Sequence, residues 1–274
     1  MTDMTDAVAA YAPSVPLRFI QRVEFPRKLG VCEQLFARRL TRLGIVWAST
    51  PGGSVWKLDL TMPSHRWAVY GQHDRGLVRY LQQRLSPDAV IVDSGANIGQ
   101  MLLSLIENVP YGRYYAFEPE EEASDWLADC LAMNALTKVE LVRAALGAAS
   151  GWSYLAKPRG SHGAQSFVSD SFRDQAVRMM ALQEFLNDRG IPRVDFWKID
   201  VEGYELSVLQ GAETFLKAGR IRDLYVELSR EESYKVRGYL DSFGYRCFEV
   251  RKNGELRSFV DRGLVITDAL FSRD

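Results

Sequence analysis

The run Val90-Ile91-Val92-Asp93-Ser94-Gly95-Ala96-Asn97-Ile98-Gly99 constrains this chain more than any other stretch. Its apolar start reads as a buried strand, and the D-x-G-x-x-x-G spacing that follows reads as a tight turn into a helix. Glycines there let a ligand approach the backbone, and the helix start offers free N–H groups and a positive dipole end. The spacing differs from the G-x-G-x-x-G of nicotinamide-binding folds, and an acid directly ahead of the glycines sits badly beside a pyrophosphate. Asp93 suits a ligand with ammonium or sulfonium charge instead. The same turn would also serve a strand-to-helix connection with no ligand at all.

The surrounding sequence repeats this unit. Strands are expected at Val90–Asp93, Tyr114–Glu118, Val139–Ala144, Val194–Asp200 and Asp223–Glu227. Helices are expected near Gly99–Glu107, Ala123–Asn134, Leu182–Arg189, Tyr204–Lys217 and Glu231–Phe243. Such alternation predicts an α/β domain with a parallel sheet and crossover helices. The tail changes topology, because Tyr245–Arg251 and Leu256–Val260 flank the hairpin signal Asn253-Gly254, and Leu264–Thr267 supplies one more short strand. Ahead of this domain, Leu29–Leu43 has helical periodicity and Trp56, Leu58 and Leu60 alternate like a half-buried strand. Residues 1–75 are therefore expected to form an accessory segment and residues 76–274 the main domain.

Three positions carry candidate chemistry. Glu118 ends the second strand one strand–helix–strand unit after Asp93, where a carboxylate can accept from two neighbouring ribose hydroxyls; Pro119 fixes the chain direction after it. In Lys198-Ile199-Asp200-Val201-Glu202, alternate residues of an extended segment share a face about 6.5–7 Å apart. Spacing alone leaves two readings open, a catalytic acid pair or an Asp–Lys pair that neutralises a strand end. His162 lies in a glycine-punctuated polar stretch between the third and fourth parallel strands, where it is either a catalytic group or a solvated surface residue. Trp126 and Trp152 are expected in core or pocket wall. Asp200, Glu202 and Glu227, three acids at strand ends, have oxygen ligands suited to Mg²⁺, without a spacing that demands a metal.

From about Asp74 to Thr267 the chain resembles the FkbM-type class I S-adenosylmethionine-dependent methyltransferases. The motifs are VIVDSGANIG, AFEP followed by Asn134, VRAALGAASG, and the most specific, VDFWKIDVEGYELSVLQGAETFL. The resemblance implies a seven-stranded Rossmann-like sheet with helices on both faces, S-adenosyl-L-methionine as cofactor, and methyl transfer to a hydroxyl of a sugar, glycan or secondary metabolite. By position it implies that Asp93, Gly95, Ala96, Asn97 and Gly99 shape the methionine pocket, that Glu118 with Pro119 holds the ribose, and that Asn134 and Ala145 lie near the adenosine. Asp200 and Glu202 match the acidic pair beside the reacting methyl, Asp200 also bordering the cofactor. Two departures stand out: Ser94 replaces the usual Val or Ile, and Asp74 replaces a usual Glu at the cofactor entrance. The rival readings are a nicotinamide-dependent oxidoreductase and a catalytically silent module on the same fold.

Charge and hydropathy restrict partners. With 34 Lys and Arg against 35 Asp and Glu, the chain lacks the basic excess of a dedicated nucleic-acid binder. Its longest stretch free of charged residues, Leu43 to Trp56, is 14 residues and contains Pro51-Gly52-Gly53, too short to span a bilayer. The start lacks the basic, then apolar pattern of a signal peptide, so cytoplasmic residence is expected. Cys32, Cys130 and Cys247 are too few and too widely spaced for a disulfide framework or zinc site. A small-molecule or glycan acceptor is the expected partner, and a homo-oligomer is compatible with the sequence.

Overall fold

The computed structural model describes residues 9–23, 25, 27–50, 53–71, 75–105, 109, 111–156, 167–168, 175–229, 232–260 and 266–273. Contacts gather the chain into two compact units, Met1–Arg75 with Asp129–Leu136, and Gly76–Ala128 with Thr137–Asp274.

The first unit contains β1 (Ala9–Tyr11), α1 (Val15–Arg22), α2 (Lys28–Thr41), β2 (Ile45–Ser49), β3 (Val55–Asp59) and α3 (Pro63–Val69). Its sheet runs β1-β2-β3, parallel then antiparallel. Both α1 and α3 begin with proline in the first turn, where the missing N–H costs nothing. Neither they nor β1 and β2 were expected, since short elements carry little periodicity.

The second unit runs α4 (Arg75–Arg84), β4 (Val90–Ser94), α5 (Gln100–Leu105), β5 (Arg113–Phe117), α6 (Glu121–Met133), β6 (Val139–Val142), β7 (Ala145–Leu146), β8 (Gly151–Ala156), β9 (Phe167–Val168) and β10 (Gln175–Met180). It continues with α7 (Leu182–Asp188), β11 (Val194–Ile199), α8 (Glu205–Gln210), α9 (Glu213–Lys217), β12 (Ile221–Ser229), α10 (Ser233–Asp241), β13 (Arg246–Val250), β14 (Leu256–Ser258) and β15 (Ile266–Ser272). Arg75 at the start of α4 and the C-terminal part of α6 group with the first unit.

The main sheet has the order β14-β13-β15-β12-β11-β4-β5-β6. Strands β6, β5, β4, β11 and β12 are parallel, and β15 inserts antiparallel between β12 and β13. The sheet has eight strands rather than seven because the Asn253-Gly254 hairpin adds β14 at one edge. The central strands are apolar on both faces, with every residue of β4 buried and Trp197, Phe196 and Ile199 of β11 fully covered. From β4 the chain builds outward through β5 to β6, then returns to β11 on the other side of β4. This reversal puts a topological switch point at the carboxyl ends of β4 and β11, the place where open α/β sheets bind ligands.

Two expectations are corrected. The region read as a long loop between the third and fourth parallel strands holds a second sheet, β7-β10-β8-β9, whose antiparallel β8–β10 pairing places Gly151 opposite Met179. The helix expected over Tyr204–Lys217 breaks into α8 and α9 at Gly211-Ala212. A Cβ on Gly211 would lie 2.0 Å from the Gly147 carbonyl oxygen, so this glycine admits the backbone of the VRAALGAASG motif.

Candidate active site

The turn after β4 is fixed by backbone. The Phe117 carbonyl, at the end of β5, accepts from Gly95 N–H and Ala96 N–H, both at 3.0 Å, and Asp200 N–H donates to the Ser94 carbonyl at 3.1 Å. Gly95 has φ +72° and a Cβ there would fall 1.8 Å from the Asp200 carbonyl oxygen, so the β4 and β11 ends can meet only at glycine. Asn97, with φ +49°, and Gly99, with φ +82°, complete a left-handed path. Ser94, the departure from the family pattern, accepts a 2.7 Å hydrogen bond from Trp197 Nε1 through its hydroxyl, a partner that valine would not offer.

Glu118 is 6% exposed, unlike the surface acids that follow it at 121 and 122. Asn97 N–H donates to Oε2 at 2.8 Å and Glu120 N–H donates to Oε1 at 2.9 Å. Each oxygen keeps a second lone pair for another donor. Burial pushes the carboxyl up to about 7, against the lowering by those two N–H groups, with Glu120 and Asp93 adding repulsion. Pro119 follows on the same chain, and Ala96 is 5% exposed in the turn.

Lys198 links the two strand ends: its Nζ lies 3.0 Å from Asp200 Oδ2, 3.6 Å from Asp93 Oδ1 and donates to the Gly95 carbonyl at 3.4 Å. The Asp–Lys reading is therefore realised, and it ties both motifs together. Glu202 has φ +54°, a strained conformation for a non-glycine residue. Glu205, 1% exposed at the start of α8, holds that strain by accepting from Gly203 N–H at 3.0 Å and Val201 N–H at 3.3 Å. Glu227, from β12, joins this end: one carboxylate oxygen each from Asp200, Glu202 and Glu227 lie within 4.8 Å of one another. Burial, then the charges of Asp200, Glu202, Asp268 and Glu205, push Glu227 up to about 8.

Sequence reasoning missed Glu205 as the brace of the loop, and it named Glu227 only as a candidate metal ligand, not as a raised carboxyl beside Asp200 and Glu202. An acid in the first turn of α8 was a usable signal for Glu205, since such carboxylates reach back to preceding N–H groups. Acids at the opposite end of the sheet are structural: Asp223 is fully buried beside Arg84 and Arg222, both at 3.3 Å, and Asp195 accepts from Val90 N–H at 2.9 Å.

Asn134 and Ala145 have partners within the protein itself. Asn134 falls in the first unit, where its amide donates to the Val55 and Cys130 carbonyls and accepts from Val55 N–H, all at 2.7 Å. Its side chain is spent on holding β3. Ala145, 5% exposed, packs with Leu155 and Val177 in the second sheet. Trp152 is 78% exposed, so it is not in the core. Asp74 and His162 lie outside the described residues.

Residues 93–247, more than half of the chain, match the family model described as the methyltransferase FkbM domain. The chain is 29% identical over 161 residues to methyltransferase sdnD of Sordaria araneosa, covering 47% of this chain and 62% of that protein. It is 27% identical over 148 residues to the hexuronic acid methyltransferase AglP of Haloferax volcanii, covering 53% and 59%. A third relative, the 2-O-methyltransferase NoeI of Sinorhizobium fredii, is 25% identical over 167 residues, covering 54% and 67%. The match thus spans about three fifths of the first two relatives' lengths. On the extent of the domain match, this chain belongs to the FkbM methyltransferase family.

Proposed function

We propose that the protein is an S-adenosylmethionine-dependent methyltransferase acting on a hydroxyl of a sugar, glycan or secondary metabolite. The observation that carries this is Glu118, clamped at the crevice by Asn97 and Glu120 N–H groups with an acceptor lone pair left on each oxygen. That acceptor set fits a ribose diol, and the acidic crevice formed by Asp93, Asp200 and Glu202 fits a sulfonium cation. S-adenosylmethionine, when bound, supplies an electrophilic methyl group.

The chain's residues supply the rest. The Gly95–Gly99 turn positions the ligand, and Lys198 keeps Asp93 and Asp200 aligned across the strand gap. Asp200 is partly neutralised by Lys198, so the acceptor's proton passes to the Glu202–Glu227 pair. Glu227, held up near 8, accepts only in its ionised fraction, which grows as pH rises toward 8, where a base whose value lies close to the working pH is most effective. Sugar acceptors are favoured because AglP and NoeI are named for hexuronic acid and 2-O methylation. Incubation with methyl-labelled S-adenosylmethionine and a panel of hydroxylated sugars tests the reading by product mass. Saturable NAD binding in calorimetry, without response to S-adenosylhomocysteine, would overturn it in favour of an oxidoreductase.

A further inference from the structure

The first unit turns a distinctive set of side chains outward. On α1, Val15, Arg18, Phe19 and Arg22 fall at i, i+3, i+4 and i+7, one face of the helix. Val15 is 70% and Phe19 68% exposed, and both arginines are exposed. The opposite face holds α1 in place, with Leu17 buried and Gln21 Nε2 donating to the Val69 carbonyl at 2.6 Å. Helix α2 repeats the spacing with Leu35, Arg38, Arg39 and Arg42; Leu35 is 63% exposed, while Cys32 and Leu40 are buried.

Charge follows the same division. Residues 1–75 carry ten Lys and Arg against six Asp and Glu, in a chain that has 34 against 35 overall. The acid on α2, Glu33, is engaged by Arg66 at 2.9 Å and leaves the arginine face uncompensated by its own helix.

We propose that these faces seat the protein on an anionic lipid surface. Val15, Phe19 and Leu35 enter the boundary between headgroups and acyl chains, and the arginines, whose apolar stems lie along that boundary, meet lipid phosphates. Interleaving is what selects this occupant. Nucleic acid would meet the arginines but give no apolar medium to Val15 and Leu35, and a protein groove would favour an apolar stripe unbroken by cations.

The full chain, mixed with phosphatidylcholine vesicles with or without phosphatidylglycerol, is sedimented at low and high salt. Expected is co-sedimentation with the anionic vesicles that weakens with salt. It should fall at least about tenfold in Arg18→Glu/Arg22→Glu, from reversal of two surface charges, and also fall in Phe19→Ser and Leu35→Ser. These positions are exposed, and a thermal melt confirms that each variant remains folded; Leu35→Ser serves as the second probe if an α1 variant melts early. Absence of anionic-vesicle binding by the parent overturns the proposal. So does equal binding to neutral vesicles, unchanged binding in every folded variant, or tighter capture by an RNA oligonucleotide than by the vesicles.

Discussion

Replacing Glu118 by alanine removes an acceptor from two backbone donors at once, Asn97 N–H and Glu120 N–H. A strand-end acid looks expendable for folding on sequence alone, yet Glu118 is 6% exposed and the Glu120 N–H it satisfies is buried, so that donor loses its partner away from water. Glu118→Ala should therefore cost about 1–3 kcal/mol in denaturant unfolding, the usual penalty of an unsatisfied buried group. It should also weaken S-adenosylhomocysteine binding in calorimetry. Wild-type affinity in a folded variant would move the ribose elsewhere. A second set of residues separates binding from chemistry. Asp200→Asn, Glu202→Gln and Glu227→Gln keep size and remove charge, and at least one should lower methyl transfer by about 10²-fold or more, the lower range of acid–base contributions. Affinity for S-adenosylhomocysteine should stay within a few-fold, since the proton moves only in the transition state. A large loss confined to His162→Gln would instead assign the base to the histidine.

At the scale of elements, the break between α8 and α9 yields a controlled comparison. Gly211 has φ −68°, so its cost to alanine is steric alone, against the Gly147 carbonyl. Gly211→Ala should destabilise by about 1–3 kcal/mol, as overpacking does. Gly238 in α10 has open space where a Cβ would stand, with nothing within 4 Å, so Gly238→Ala should stabilise by about 0.5–1 kcal/mol through helix propensity. Chemical denaturation of both variants checks the pair, and equal shifts would show that Gly147 yields. The same contrast explains what a sequence reveals. Buried strands such as Val90–Ser94 announce themselves as apolar runs, and acids at their ends, Asp93, Glu118 and Asp200, are read from adjacency to those runs. Gly211's constraint comes from a carbonyl far away in sequence, so a helix was expected to continue through it. Strands β8 and β10 were invisible because exposed Trp152 and mixed polar residues blur their alternation. The bonds between Asn134 and Val55 were likewise unreadable, because position in a motif says nothing of a partner that tertiary structure supplies.

Across the whole molecule, the acids gathered at the carboxyl end of the main sheet make stability depend on pH in a defined direction. Glu118 is raised from an ordinary 4.5 to about 7 and Glu227 from 4.5 to about 8, both first by burial. Between those limits the folded protein holds protons that the unfolded chain has released, so stability falls as pH rises. The contribution is fully present below the ordinary carboxylate value and is lost as pH passes through about 7 and then about 8. The urea midpoint should thus drop from about pH 5, where the unfolded carboxyls have ionised and the folded ones have not, to about pH 8, above which both states are ionised. Glu227→Gln, neutral at every pH, should make that drop shallower throughout and end it near pH 7, leaving the part belonging to Glu118. A cation in the crevice acts in the same sense as the substitution: a sulfonium ligand beside Glu202 and Glu227 offsets the repulsion, so S-adenosylmethionine should raise the midpoint more at high pH than at low. A parent midpoint that is flat or rises over this range, with the Glu227→Gln variant identical to it, would show that these carboxyls are already ionised and solvated in the folded state, and Glu227 would then be an ordinary carboxylate rather than a base tuned toward neutral pH.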